Sequence, residues 1–326
     1  MIAVIGASGH IGNNLVRQLI EKGEKVKAII PSFAPRHSLK DIENLTIEGG
    51  NVCDLKSLKT ALEGVRVVYH LASVISITTG EYDKLHKVNV EGTKNVIAAC
   101  LHHNVERLVY TGSVHAFEEP PHGITIDENT PIDPKTAIGD YGKTKAAAIN
   151  EVIKATKNGL NAVVVCPSGV IGPHDYMPSL VGQSFIDFMR GKLPAYIRGA
   201  YNFVDVRDVA AGHILAYEKG KVGEVYMLSG DVLHYDEVMR LLARESGKKI
   251  PFAIPLKAAN VLAKVLEKYA KLRKKRPLLT EYSVHVLQSN CDISNAKAKR
   301  DLGYNPRPIS ETVVDSVSWL KEKHNI

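Results

Sequence analysis

The chain opens on four apolar residues, Ile2-Ala3-Val4-Ile5, and runs directly into Gly6-Ala7-Ser8-Gly9-His10-Ile11-Gly12. The apolar run is too short for a helix. It is followed by glycines at three-residue spacing and then by Ile11, Leu15, Val16, Leu19 and Ile20 on one helical face. That order reads as strand, tight turn, helix. Glycines at the turn let backbone N–H groups approach an anion, and the helix N-terminus beyond adds partial positive charge. The last glycine allows helix and strand to pack closely. The pattern predicts a pyrophosphate-binding turn, hence a bound dinucleotide, with Gly6, Ser8, Gly9, His10, Ile11 and Gly12 as its contacts.

The rest of the first half repeats that rhythm. Strands are expected at 2–5, 25–30, 45–47, 66–71, 107–111 and 162–166, and helices at 10–22, 55–63, 83–102 and 140–158. Consecutive apolar positions in several of the strands indicate burial on both faces, as in a parallel sheet. The fold class is therefore α/β, a Rossmann doubly wound parallel sheet with a smaller C-terminal region. Residues 1–167 form the dinucleotide-binding domain, and 201–220 return to it. Prolines punctuate the chain after residue 167 and strands become scarce. Residues 168–200 and 221–326 are assigned mostly to substrate binding, with helices at 235–246, 256–275 and 310–323.

Further contacts follow from strand ends. The acid that usually clamps the adenosine ribose about 20 residues after the glycines is missing. The second strand ends instead at Pro31-Ser32, with Arg36 beyond. Without that carboxylate a 2′-phosphate meets no repulsion, and Arg36 offers the opposite charge. This favours NADP, with NAD the alternative. Asp54 and Leu55 follow the third strand, where a carboxylate can accept from the adenine amine or cap the next helix. Leu71 and Ala72 end the fourth strand, where small residues leave room for the cofactor.

The chemistry falls on Tyr141-Gly142-Lys143-Thr144-Lys145. Tyr141 and Lys145 lie four apart, on one helix face. A nearby ammonium and a positive nicotinamide ring favour phenolate, so the tyrosine can exchange a proton with a carbonyl or alcohol oxygen. Ser113 ends the strand 107–111, on the ligand side of such a sheet, and can hold the substrate oxygen.

Together these residues resemble the extended short-chain dehydrogenase/reductase family. The resemblance rests on Gly6–Gly12, His70-Leu71-Ala72, Asn89-Val90-Glu91-Gly92-Thr93, Ser113, and Tyr141 with Lys145. Pro167–Pro173 and Asn202–Val209 look like the branch near dihydroflavonol reductases and NAD-dependent epimerase/dehydratases. The resemblance implies a Ser113–Tyr141–Lys145 catalytic set, a steadying role for Asn89, and a Pro167 that approaches the nicotinamide. Gly112 departs from the family pattern, replacing a hydroxylic residue. Pro31 departs as well, standing where a cofactor-selecting Arg or Asp is common.

Three functions fit. The first is an oxidoreductase that reduces an aldehyde or ketone, or oxidises the matching alcohol. The second is a nucleotide-sugar epimerase or dehydratase with recycled NAD, using Arg198, Arg207 and the basic stretch 271–276 on phosphate. The third, a non-catalytic NAD(P)-sensing regulator, has no need for the proton-relay residues. His115, His122 and His174 fall near the expected mouth at no metal-ligand spacing, so no metal is expected. Asp175 and Tyr176 follow a proline loop on the substrate side.

Net charge of +7 suits an anionic ligand without requiring nucleic acid. Four cysteines in no C-x-x-C pair suggest reduced thiols and the cytoplasm. The N-terminus leaves no room for a signal peptide, and no apolar stretch reaches membrane-spanning length. The stretch 256–276 is amphipathic, with seven Lys/Arg from Lys264 to Arg276. Its apolar residues Leu262, Val265, Leu266, Tyr269 and Leu272 are expected to pack on the protein as a lid, rather than on a membrane. A homodimer through helices 83–102 and 140–158 is the expected assembly.

Overall fold

Ile2–Ile5 (β1) is buried at all four positions, which is possible only with helices on both faces of its sheet. The computed structural model describes residues 1–40, 42–76, 80–272 and 279–324, without side chains at 268, 269, 271 and 272. From β1 the chain runs through α1 (His10–Glu21), β2 (Val26–Ile30), β3 (Leu45–Gly49), α2 (Leu55–Ala61) and β4 (Val67–His70). Then come α3 (Tyr82–His86), a π-helical turn at Lys87–Glu91, α4 (Gly92–His102), β5 (Arg107–Thr111), α5 (Gly139–Lys157) and β6 (Ala162–Pro167). The remainder comprises β7 (Gly169–Ile171), α6 (Leu180–Met189), β8 (Ala195–Ile197), β9 (Ala200–Asp205) and α7 (Val206–Lys219). It continues with β10 (Val225–Leu228), β11 (Asp231–His234), α8 (Tyr235–Ser246), β12 (Phe252–Ile254) and α9 (Leu256–Leu272). It closes with α10 (Glu281–Val286), α11 (Ala296–Leu302) and α12 (Ile309–His324).

Seven parallel strands form the main sheet in the order β10-β6-β5-β4-β1-β2-β3. The order reverses between β1 and β4, where Ile5 lies opposite both Ile29 and His70. A crevice opens at the carboxyl ends of strands at such a reversal. Leu58, Val96 and Ile149 pack on one face of the sheet, and Leu15, Ile214 and Leu302 on the other. A third core joins Phe185, Phe203, Met239 and Val313.

The second half differs from expectation in its strands. Val225–Leu228 lies within the stretch assigned to substrate binding, yet it joins the main sheet beside β6. Four apolar residues carry no period that separates a strand from a buried helix turn, so sequence spacing alone misses it. A three-stranded sheet, β11-β9-β7, and a ribbon, β12-β8, are likewise short and held by tertiary context.

The helix at 256 also departs from expectation. It turns Ala259 and Ala263 inward, both 0% exposed, onto Val284, Ile197 and Ile254. Val261, Leu262 and Val265 point out at 66%, 37% and 59% exposure. The small residues allow close approach to α10, so the bulky apolar face is not the one that packs. The expected Tyr269 and Leu272 contacts, and the basic residues at 273–276, lie outside what is described.

Candidate active site

Gly6 leaves β1 with φ +91°, a conformation that disfavours a side chain. A Cβ there would also sit 2.7 Å from the Ala72 nitrogen. At Gly12 a Cβ would lie 2.3 Å from the Gly6 oxygen. The glycines thus let β1, α1 and the end of β4 converge at the sheet reversal. Gly9 begins α1 without a side-chain cap, and no acid stands in the first turn. The first N–H groups of the helix remain for an anion. This cradle fits the diphosphate of a dinucleotide. Ser8 is buried, and Leu71 and Ala72 are half-buried along the opposite wall.

The outlying contacts are less committed. Ser32 and Arg36 are exposed on the loop after β2, and Arg36 makes no ion pair among the described residues. The Asp54 carboxylate accepts from the N–H groups of Lys56 and Ser57 at 3.0 and 3.2 Å, capping α2. Its neighbour Leu55 is half-buried. The His10 imidazole bonds the Pro173 carbonyl through Nε2 at 3.0 Å, which ties the start of α1 to the loop after β7.

Ser113, Tyr141 and Lys145 come together below the carboxyl end of β5, all under 9% exposed. The Tyr141 phenol is within hydrogen-bonding reach of the Ser113 and Ser73 hydroxyls. Burial pushes it up to about 12, against the pull of those hydroxyls. The Lys145 ammonium, expected with the nicotinamide ring to draw it down, donates to the Thr111 carbonyl at 2.6 Å and to the Tyr110 hydroxyl at 3.3 Å. It also lies 4.9 Å from the Tyr110 ring centre. Burial lowers it to about 8. The phenol is therefore neutral at physiological pH, the form that gives a proton.

Helix α5 is seated by small residues. A Cβ at Gly142 would lie 2.5 Å from the His115 carbonyl oxygen, and one at Gly139 2.5 Å from the Tyr282 ring. Gly112, the departure from the family pattern, also has a local cause. A Cβ there would lie 2.5 Å from the Cys166 sulfur and 3.0 Å from Ile149. The π-helical turn projects Asn89 inward. Its amide accepts from Val74 N–H at 2.8 Å and donates to Val74 C=O at 3.0 Å and to Thr144 at 3.1 Å. Asn89 so ties the loop after β4 to the helix that carries Tyr141.

His115, whose ring centre lies 6.2 Å from that of Tyr141, lines a cleft of about 470 Å³, part of it open to solvent. Val114, Phe117, Ile126, Ile138, Val286 and Ile293 form much of its wall, and no lysine or arginine lines it among the described residues. His115 bonds the Tyr201 hydroxyl at 2.7 Å, and His285 pairs with Glu119 at 2.9 Å. Tyr201, Tyr282, His285 and Glu119 escaped the sequence reading. Tyr282 reaches Gly139 from far along the chain, and nothing in local spacing announces that approach.

Other expected residues lie elsewhere. His122 is exposed and bonds the Gln288 carbonyl at 2.9 Å. His174 and Tyr176 stack together against Trp319, away from the cleft. Asp175 is buried and holds the Ser179 N–H and hydroxyl, each at 2.9 Å, at the start of α6. Arg207 is held by two carboxylates, Asp205 and Asp315, both at 2.6 Å, whereas Arg198 is 62% exposed and only loosely approached by its one carboxylate, Asp236 at 3.9 Å. The basic stretch 271–276, expected to help, lies outside the described side chains.

Comparison with known proteins agrees with this geometry. The profile of the NAD dependent epimerase/dehydratase family matches residues 2–229. A sterol demethylase protein B of Methylococcus capsulatus is 33% identical, over 98% of each chain. A putative dihydroflavonol 4-reductase of Synechocystis is 31% identical, over 98% of this chain and 94% of its own. The crystal structure of gox2253 superposes with a TM-score of 0.87 at 32% identity, covering 100% of this chain and 99% of that one.

Proposed function

The chain belongs to the NAD dependent epimerase/dehydratase family, and from that membership we propose that it is a reductase of apolar ketones or aldehydes. It is an NAD(P)-dependent oxidoreductase of the extended short-chain dehydrogenase/reductase type. One observation carries the choice of substrate: the cleft next to His115 mixes aliphatic and aromatic side chains with Glu118, Glu119, Ser289 and Asn290, and no lysine or arginine among the described residues lines it for a nucleoside diphosphate. The epimerase/dehydratase alternative needs such a cation, and of its two candidate arginines Arg207 is held by two carboxylates.

In this reading Gly6, Ser8, Gly9, His10, Ile11 and Gly12 cradle the diphosphate. Leu71, Ala72 and Pro167 border the nicotinamide side, and Asp54 and Leu55 the adenine. The Asp54 oxygen that caps α2 leaves its second oxygen for the adenine amine. When bound, the nicotinamide cofactor supplies the hydride. Ser113 holds the carbonyl oxygen, and the neutral Tyr141 phenol gives it a proton. Lys145 stands one turn beyond as the source of positive charge, with its ammonium fixed by Thr111 C=O. The unpaired Arg36 supports NADP over NAD. The smaller C-terminal region supplies part of the substrate wall through Tyr282 and His285, opposite Val114, Phe117 and Ile126 of the dinucleotide-binding domain. Buried free thiols at Cys100 and Cys166 suit a reducing cytoplasm. A homodimer is proposed through α4 and α5, which lie side by side.

The test is Tyr141→Phe, assayed with a panel of hydrophobic ketones and titrated with NADPH and NADH by fluorescence. Turnover is expected to fall by about 10²–10⁴ while cofactor binding persists, NADPH the tighter. Unchanged turnover would remove Tyr141 from the chemistry.

A further inference from the structure

Helix α9 is amphipathic twice over. Its inner face is a line of alanines. Its outer face is itself divided, with Val261, Leu262 and Val265 along one strip and Lys257 and Lys264 beside them. Phe252 stands 72% exposed on the adjoining ribbon. Ile250 is 45% exposed, and Lys248 and Lys249 are exposed just before it. Glu267 accepts the Glu281 N–H at 2.9 Å, and Glu281 meets Lys264 at 3.8 Å, which leaves Lys248, Lys249 and Lys257 without an ion pair among the described residues.

An exposed patch of this kind, rimmed by lysine, calls for a partner. A second copy of this chain is a poor one, because an isologous contact would set lysine against lysine. A surface that is apolar below and anionic above matches both strips at once. We propose that α9 and the β12 edge dock on a bilayer rich in anionic phospholipid, with Val261, Val265 and Phe252 entering the acyl boundary and the lysines meeting headgroups. Helix α10 packs directly on α9 and gives Tyr282, His285 and Val286 to the cleft. The docked face therefore lies one helix away from the walls of the cleft, close enough to bring an apolar carbonyl compound from the lipid. Only that last link rests on the reductase reading.

Sedimentation of the full chain with vesicles tests the docking without any turnover assay. The protein is expected to pellet with phosphatidylcholine vesicles containing phosphatidylglycerol, and to stay in solution with phosphatidylcholine alone. Lys249→Glu with Lys257→Glu should lower partitioning about five-fold per lysine. Val261→Asp with Val265→Asp should lower it at least as much. All four positions are exposed, so NADPH binding and far-UV circular dichroism should be unchanged. Wild-type protein that ignores the anionic vesicles, or an aspartate double variant that partitions like wild type, overturns the proposal. So does self-association without vesicles that the aspartates abolish, since the patch would then be a contact between copies.

Discussion

Burial acts on Tyr141 and Lys145 in opposite senses. It favours the neutral form of each, so the phenol is pushed up to about 12 and the ammonium drawn down to about 8. The pair holds a neutral phenol and a charged amine only below about pH 8. Carbonyl reduction, followed as kcat/KM, should therefore decline as pH rises through that value. In Lys145→Arg, whose guanidinium stays charged, the decline should vanish. An identical alkaline break in both proteins would assign it to another group. The four-residue spacing made this pair legible in the sequence, because helix geometry fixes which side chains share a face. The direction of the ammonium was not legible. Its partners, Thr111 and Tyr110, sit on a strand that reaches α5 only through the sheet.

At the scale of elements, the π-helical turn before α4 sets the helix that carries Tyr141. Replacing Asn89 with Leu removes its bonds to Val74 and Thr144. The expected cost is on the order of 1–3 kcal/mol for each buried group left unpaired. The denaturation midpoint should fall, and kcat should drop more than cofactor affinity, since α1 is untouched. An unchanged midpoint would show that Val74 and Thr144 find other partners. The strands of the first half could be read because burial on both faces writes a continuous apolar run. β10 is as deeply buried, but its four residues are too few to carry a period. For α9 the period was plain and the inward face was misjudged, because alanines that allow close approach outcompeted larger apolar residues.

Across the whole molecule, several imidazoles are stored neutral. Burial lowers His70 to about 3 and His115 and His213 to about 4. The His213 ring spans Thr111 Oγ1 and the Val209 carbonyl, each at 2.7 Å, in place of water. An unfolded histidine takes up a proton near 6.5, which the folded chain refuses until about pH 3–4. Stability is thus full above 6.5 and erodes as pH falls below it. The melting temperature should be lower at pH 5 than at pH 7.5, and a flat profile would show that these rings are hydrated.

The same interior holds Asp205, at 0% exposure. Burial would raise its carboxyl, but the hydrogen bonds from Arg207 outweigh that and hold it below the usual range. Arg307 reaches Asp208 from 99 residues away through both side-chain and backbone donors. Arg307 is one-third exposed, so this pair is a partly solvated clasp rather than a buried one. It ties the first turn of α7 to a segment 99 residues further along, and part of the anchoring of that helix is therefore supplied late in the chain.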